Sequence, residues 1–197
     1  MKKGVLMILS GPSGVGKSTV IRLLRQQDPS LFFSVSVTTR DRRPGEVEGE
    51  DYYFISQQEY DELVARDALL EHAGYVRKNY GTPAEPVDKA LEEGRNVLLD
   101  IEPQGAAQVR AKRSDAVSVF ISAPSFRELE ARLRGRGDTT EEDIERRLEK
   151  AGWEYTQAAG YDYLVCNETP ELTAQKINAI LTAEGCRPFR SPELLEQ

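Results

Sequence analysis

The sequence predicts an α/β fold in which a parallel core sheet is flanked by helices and interrupted once by an inserted lobe. Three observations carry this. Four apolar runs, Val5–Leu9, Val97–Ile101, Val117–Ile121 and Tyr163–Cys166, have the length of buried strands and alternate with stretches of helical spacing. That alternation is the pattern of a sheet covered on both faces. A glycine-rich loop, residues 11–18, joins the first run to the first helix, and the stretch from about Leu31 to Tyr80 breaks the alternation.

Taken in order, Val5–Leu9 is continuously apolar, as a parallel strand buried on both faces requires. Val20, Leu23 and Leu24 set a helix over Lys17–Gln26. Phe33, Val35 and Val37 then alternate with Ser34, Ser36 and Thr38, a half-buried strand pattern. Tyr52–Ile55 and Leu69–Val76 read as further strands around a short helix capped by Ser56 and Glu59, so this region forms an antiparallel lobe. The core resumes at Val97–Ile101, followed by a helix over Gln104–Lys112 and the strand Val117–Ile121. Ser125 and Glu128 have capping-box spacing at the start of a helix ending near Leu133. A helix over Glu141–Ala158, the strand Tyr163–Cys166 and a helix over Pro170–Ala183, capped by Thr169 with Pro at its first position, complete the core. The tail Gly185–Gln197 reads as irregular.

At 197 residues, 39% hydrophobic and 30% charged, the chain has the size and composition of one globular domain. The net charge of −7 argues against nonspecific nucleic-acid binding. Cys166, Cys186 and the single His72 lack metal-ligand spacing, so a zinc site is not expected, and Cys166 within an apolar strand reads as a buried thiol. No stretch is long enough to span a membrane, and the short apolar start runs straight into the glycine loop rather than a cleavage site. A reducing cytoplasm is the expected setting.

Four clusters carry chemistry. Gly11, Pro12, Ser13, Gly14, Val15, Gly16, Lys17 and Ser18 form a Gly-x-x-x-x-Gly-Lys-Ser loop. Its glycines let backbone N–H groups wrap a triphosphate, Lys17 brings positive charge to the outer phosphates, and the Ser18 hydroxyl can ligate Mg²⁺. Residues 33–46 run from a hydroxyl-bearing strand into Arg40, Arg42 and Arg43, whose planar forks suit a second phosphorylated ligand. Asp100 and Glu102 end an apolar strand two residues apart, where a carboxylate can organise Mg²⁺ beside the loop. Arg132, Arg134 and Arg136, with Gly135 and Gly137, precede Arg146 and Arg147. They can bring cations over transferring phosphates or pair with nearby glutamates on helix surfaces, the reading that suits Arg146.

From about Gly4 to Leu181 the chain resembles guanylate kinases, in the ordered blocks GPSGVGKS, SVTTRDRRPGE, EDYYF, LLEHA, NYGT, LLDIEPQG, RLRGRG and YDYLVCN. The first block says only phosphate loop; the second, followed by NYGT, is far more specific. The resemblance implies a P-loop nucleoside monophosphate kinase fold with its core in 1–33 and 83–197, a GMP-binding lobe at about 34–82 and a mobile lid at about 134–147. It implies Mg-dependent transfer of the ATP γ-phosphoryl group to GMP or dGMP, giving ADP and GDP, in purine nucleotide metabolism. Arg40, Arg43, Tyr52 and Tyr80 would hold the GMP phosphate, and Ser36, Glu71 and Thr82 would read the guanine. Asp100 and Glu102 would complete that site, Asp100 and Ser18 lying near Mg²⁺. Lys17, Arg43, Asp100, Arg132, Arg136 and Arg147 are the implied catalytic set, and Asn167 would approach adenine. Pro103 departs from the family pattern. The loop alone leaves open a kinase for another small molecule or a noncatalytic binding module; Ser36, Glu71 and Thr82 together point to guanine.

Overall fold

In a computed structural model, which describes residues 3–75, 78–135 and 140–195, the run read as the first strand forms β1 (Leu6–Ser10) at the centre of the core. Among the described residues it belongs to a five-stranded sheet of order β2–β7–β1–β8–β9. The other members are β2 (Phe32–Phe33), β7 (Val97–Asp100), β8 (Val117–Ser122) and β9 (Tyr163–Cys166), and every pairing is parallel. Leu6 and Ile8 point to one face with Val97, Leu99 and Val109, while Met7 and Leu9 point to the other with Val20, Leu24 and Ile121. Both faces are covered, so β1 has no polar side until Ser10. Each large apolar side chain so buried contributes about 1.5–3 kcal/mol.

One face is covered by α3 (Ala84–Glu92) and α4 (Pro103–Lys112). The other is covered by α1 (Lys17–Gln27), α5 (Phe126–Arg134), α6 (Glu141–Gln157) and α7 (Pro170–Glu184). Local signals set their ends. Thr169 accepts from the Leu172 N–H with Pro170 at the first turn of α7. Ser125 accepts from the Glu128 N–H, but the Glu128 carboxylate turns to Arg132 at 3.0 Å instead of closing a capping box. α3 is not among the helices expected from the sequence; its Pro86 lies in the first helical turn, where proline removes no helical hydrogen bond.

The interruption is a second sheet of order β4–β3–β6–β5, built from β3 (Val37–Thr38), β4 (Tyr53–Phe54), β5 (Leu69–Tyr75) and β6 (Lys78–Pro83). α2 (Gln57–Ala65) packs on it through Tyr60 and carries the complete Ser56–Glu59 capping box. The lobe is mixed rather than wholly antiparallel: β4 runs parallel to β3, because the long connection between them is free of the reversal a tight hairpin imposes. The strand expected over 33–38 is split. Phe32–Phe33 pairs with the core strand β7, Val37–Thr38 pairs with β6, and Ser34 and Thr38 are buried although alternation had placed them in solvent. The chain changes sheets at Ser34–Ser36, so no single face persists.

Two smaller expectations also change. Cys166 is only half-buried, because β9 is an edge strand. The tail makes 3₁₀ turns at Pro188–Arg190 and Pro192–Leu194, and Arg190 is fully buried, donating to the carbonyls of Gly4, Asp115 and Glu184. Among the described residues no helix is long and apolar enough to cross a membrane.

Candidate active site

Parallel strands all end on the same edge of the sheet, and there β1 and β7 deliver the glycine loop and Asp100 side by side. Gly14 and Gly16 lie at φ +85° and +95°, in the left-handed region that favours glycine, so the backbone can curl before α1. Gly16 is the N-cap of α1 and supplies no side-chain acceptor, and no acidic residue sits in the first turn. The first N–H groups of α1 are thus left for an anion, with the helix dipole favouring it. The loop encloses a cavity of about 200 Å³ that Glu102, Lys150 and Glu154 complete.

Around the loop, Lys17 Nζ lies 2.8 Å from Asp100 Oδ1. Ser18 and Asp100 line one groove of about 1000 Å³ with Ser36 and Tyr52, so the phosphate loop opens directly toward the lobe. A hydroxyl and a carboxylate are hard oxygen donors, and an octahedral Mg²⁺ takes one or two such protein ligands with phosphate and water for the rest. The donor set fits that ion.

Arg132 is braced on the loop: its Nη1 donates to Val15 O and its Nη2 to Asn167 O, each at 3.2 Å. Asn167, which the resemblance would place near adenine, is 2% exposed and is bonded at both ends of its amide. Its Nδ2 donates to Val15 O at 2.6 Å and its Oδ1 accepts from Thr173 at 2.9 Å, so it holds the loop rather than facing outward. Arg147 is half-buried on α6, while Arg146 turns outward to Asp143 at 2.6 Å. Arg136 and part of the 134–147 segment lie outside the described residues; Arg134, on α5, pairs with Glu130 at 3.0 Å and with Glu141.

The lobe brings the second set together. Arg40 is paired with Glu46 at 2.7 Å and lies over Tyr52 and Phe54, 5.3 and 5.7 Å from the ring centres. Its hydrogen bonds hold the Glu46 carboxyl down at about 2 and raise its own guanidinium. The Tyr52 and Tyr80 rings meet edge to face at 5.8 Å. The Arg43 side chain is exposed, and its backbone N–H is anchored to Glu46 at 2.8 Å.

A cavity of about 280 Å³ follows, lined by Ser36, Tyr52, Glu71, Tyr80, Asp100 and Glu102 among others. Glu71 is 6% exposed, and its Oε1 accepts from the Thr82 hydroxyl at 2.7 Å. Burial pushes its carboxyl above the usual carboxylate range; the Thr82 bond opposes this and nearby Glu102 adds to it. Sequence reasoning missed Gly105: a Cβ there would stand 2.7 Å from Glu71 Oε2, so the glycine on α4 makes room for the acid. It also missed Lys150 and Glu154. Their spacing from Arg147 on a predicted helix was the available signal.

Comparison with known proteins agrees with this arrangement. A family model described as guanylate kinase matches residues 3–184. The chain belongs to the guanylate kinase family. A guanylate kinase of Carboxydothermus hydrogenoformans is 44% identical over 190 residues, covering 96% of this chain and 93% of that protein. One of Lactococcus lactis subsp. lactis is 46% identical over 189 residues, covering 96% and 92%. Among solved structures, a guanylate kinase from Anaplasma phagocytophilum superposes with a TM-score of 0.80 at 36% identity, covering 100% of this chain and 95% of that one. The family is thus that of nucleoside monophosphate kinases acting on GMP, on the α/β scaffold described above.

Proposed function

We propose that this chain transfers the ATP γ-phosphoryl group to GMP or dGMP with Mg²⁺, giving ADP and GDP or dGDP, in cytoplasmic purine nucleotide metabolism. The observation that carries the reading is buried Glu71, which lines a base-sized cavity with Thr82 bonded behind it; Asp100, paired with Lys17, and Glu102 join that cavity to the phosphate loop. Guanine offers adjacent N1–H and N2–H₂ donors that one carboxylate accepts together, whereas adenine has an acceptor at N1. A buried carboxylate left unpaired is costly, so the wrong base is rejected strongly.

In this reading the main-chain N–H groups of 11–18, Lys17 and Ser18 bind the donor, and Arg132 and Asn167 keep the loop in shape. Arg40, Arg43, Tyr52 and Tyr80 hold the acceptor phosphate, and Ser36, Glu71 and Thr82 hold the base. The acceptor's second phosphate pKa is about 6, so it is mostly a dianion at neutral pH and needs no general base. The remaining obstacle is repulsion between two polyanions. Lys17 with Arg43, Arg132, Arg136 and Arg147 offset it, and in-line positioning by the two half-sites supplies the rest. Mg²⁺ near Ser18 and Asp100 would neutralise charge on the donor phosphates. The lobe 34–82 and the lid 134–147 closing on the core would keep water from the donor.

A coupled assay of ADP release across GMP, dGMP, AMP, CMP and UMP tests this. Turnover with the guanine nucleotides and little with the others is expected; ADP release that depends on no monophosphate would overturn the reading.

A further inference from the structure

Helix α6 presents Arg147, Lys150 and Glu154 at spacings of three and four residues, which place all three on one helix face. Lys150 and Glu154 line the cavity of the phosphate loop itself, together with Gly11–Thr19 and Glu102. The Lys150 ammonium is 2.5 Å from Glu102 Oε1 and 4.0 Å from Glu154 Oε1. Glu154 is only 3% exposed, and burial raises its carboxyl, with Lys150 opposing the shift. Two carboxylates bordering an anion cavity would repel a triphosphate unless a cation stands with them. Lys150 is that cation, one helical turn from Arg147 and lining the same cavity as Lys17.

We propose that Lys150 is a further catalytic cation of the site, its ammonium contacting the terminal phosphates of bound ATP while Glu102 and Glu154 hold it in place. Glu102 also lines the base cavity, so the group that positions Lys150 reaches the acceptor side. A merely structural bridge from α6 to the start of α4 is the competing account. The Lys150 and Glu102 side chains are 39% and 60% exposed, and ion pairs of such groups contribute little to stability, so the bridge to Glu102 is not what holds the fold together.

The inference rests on the kinase reading above, and the test separates the two. Equilibrium binding of ATP and of ADP, each with Mg²⁺ and without GMP, is measured for the wild type and for Lys150→Met. A contact to the outermost phosphate predicts about tenfold weaker ATP binding with ADP changed by less than about threefold. Turnover should fall about 10- to 100-fold with the KM for GMP nearly constant, and Lys150→Arg should recover most of it. Equal effects on ATP and ADP, or none on either, would overturn the proposal. If Lys150→Met does not fold, Lys150→Gln gives the same ratio. A wild type that makes no GDP overturns the kinase reading; normal wild-type turnover with an unchanged ATP-to-ADP ratio overturns the role of Lys150 alone.

Discussion

In the proposed function, Glu71 would concentrate the specificity of the site in one buried carboxyl. To accept two donors from guanine it must be ionised, yet burial lifts its pKa above the ordinary carboxylate range. Protonation therefore begins, as pH falls, earlier than for a free glutamate. The KM for GMP is expected to rise on acidification below neutrality, beyond what the shared titration of monophosphates near pH 6 explains. The KM for ATP should not follow it. Glu71→Gln should start with a higher KM for GMP and show only the titration of the substrate phosphate; an unaltered pH profile in that variant would remove Glu71 from the base site. Arg43 gives the companion test. It is exposed and anchored only through its backbone, so Arg43→Ala should leave the fold intact. It should lower kcat/KM for GMP by about 100-fold or more, the scale for losing one donor to developing charge. ATP affinity, measured by calorimetry, should stay within about threefold.

At the scale of the element, the phosphate loop is shaped as much by what packs behind it as by its own glycines. A Cβ on Gly16 would meet Asn167 Nδ2 at 2.6 Å, and at φ +95° any side chain is strained as well. Gly16→Ala should abolish ATP binding while the far-ultraviolet circular dichroism stays native, because the conflict is confined to the loop and its brace. Retained ATP affinity would mean that the loop can relax without Asn167. This brace marks the limit of what the sequence discloses. Strand β1, the loop and α1 were legible because periodicity and glycine spacing are local, and the Ser56 and Thr169 caps were legible for the same reason. The bracing role of Asn167 was not legible because no local signal records that Val15 O, 152 residues away, accepts from its amide. The strand over 33–38 failed similarly, since alternation cannot reveal that a chain is changing sheets. Gly105 and the Lys150–Glu102 contact are products of tertiary packing between α4, β5 and α6.

The described residues form two sheets joined at Ser34–Ser36 and Pro83–Ala84, with the cavities of the phosphate loop and of Glu71 along the seam. Its stability need not be held near that seam, and one strong device sits away from it. The Arg190 guanidinium, fully buried, donates to Glu184 O at 3.1 Å, Gly4 O at 3.0 Å and Asp115 O at 2.7 Å. It thus ties the tail after α7 to the entries of β1 and β8, at the edge of the sheet opposite the loop. Burial lowers its pKa, but an arginine starts so high that it stays charged throughout the working range. Arg190→Leu would keep much of the volume and take a donor from the buried Gly4 carbonyl, the part-buried Asp115 carbonyl and Glu184 O, which keeps the Arg187 N–H; each group left unsatisfied costs about 1–3 kcal/mol. The losses share one site and are not additive, so a total of about 3–5 kcal/mol is expected, read as a lower urea midpoint at unchanged slope. Below the unfolding transition, kcat and both KM values should match the wild type, because no contact of Arg190 reaches the loop or the lobe. A large loss of turnover in the folded variant would mean instead that the tail and the strand entries set the geometry of the catalytic edge through β1.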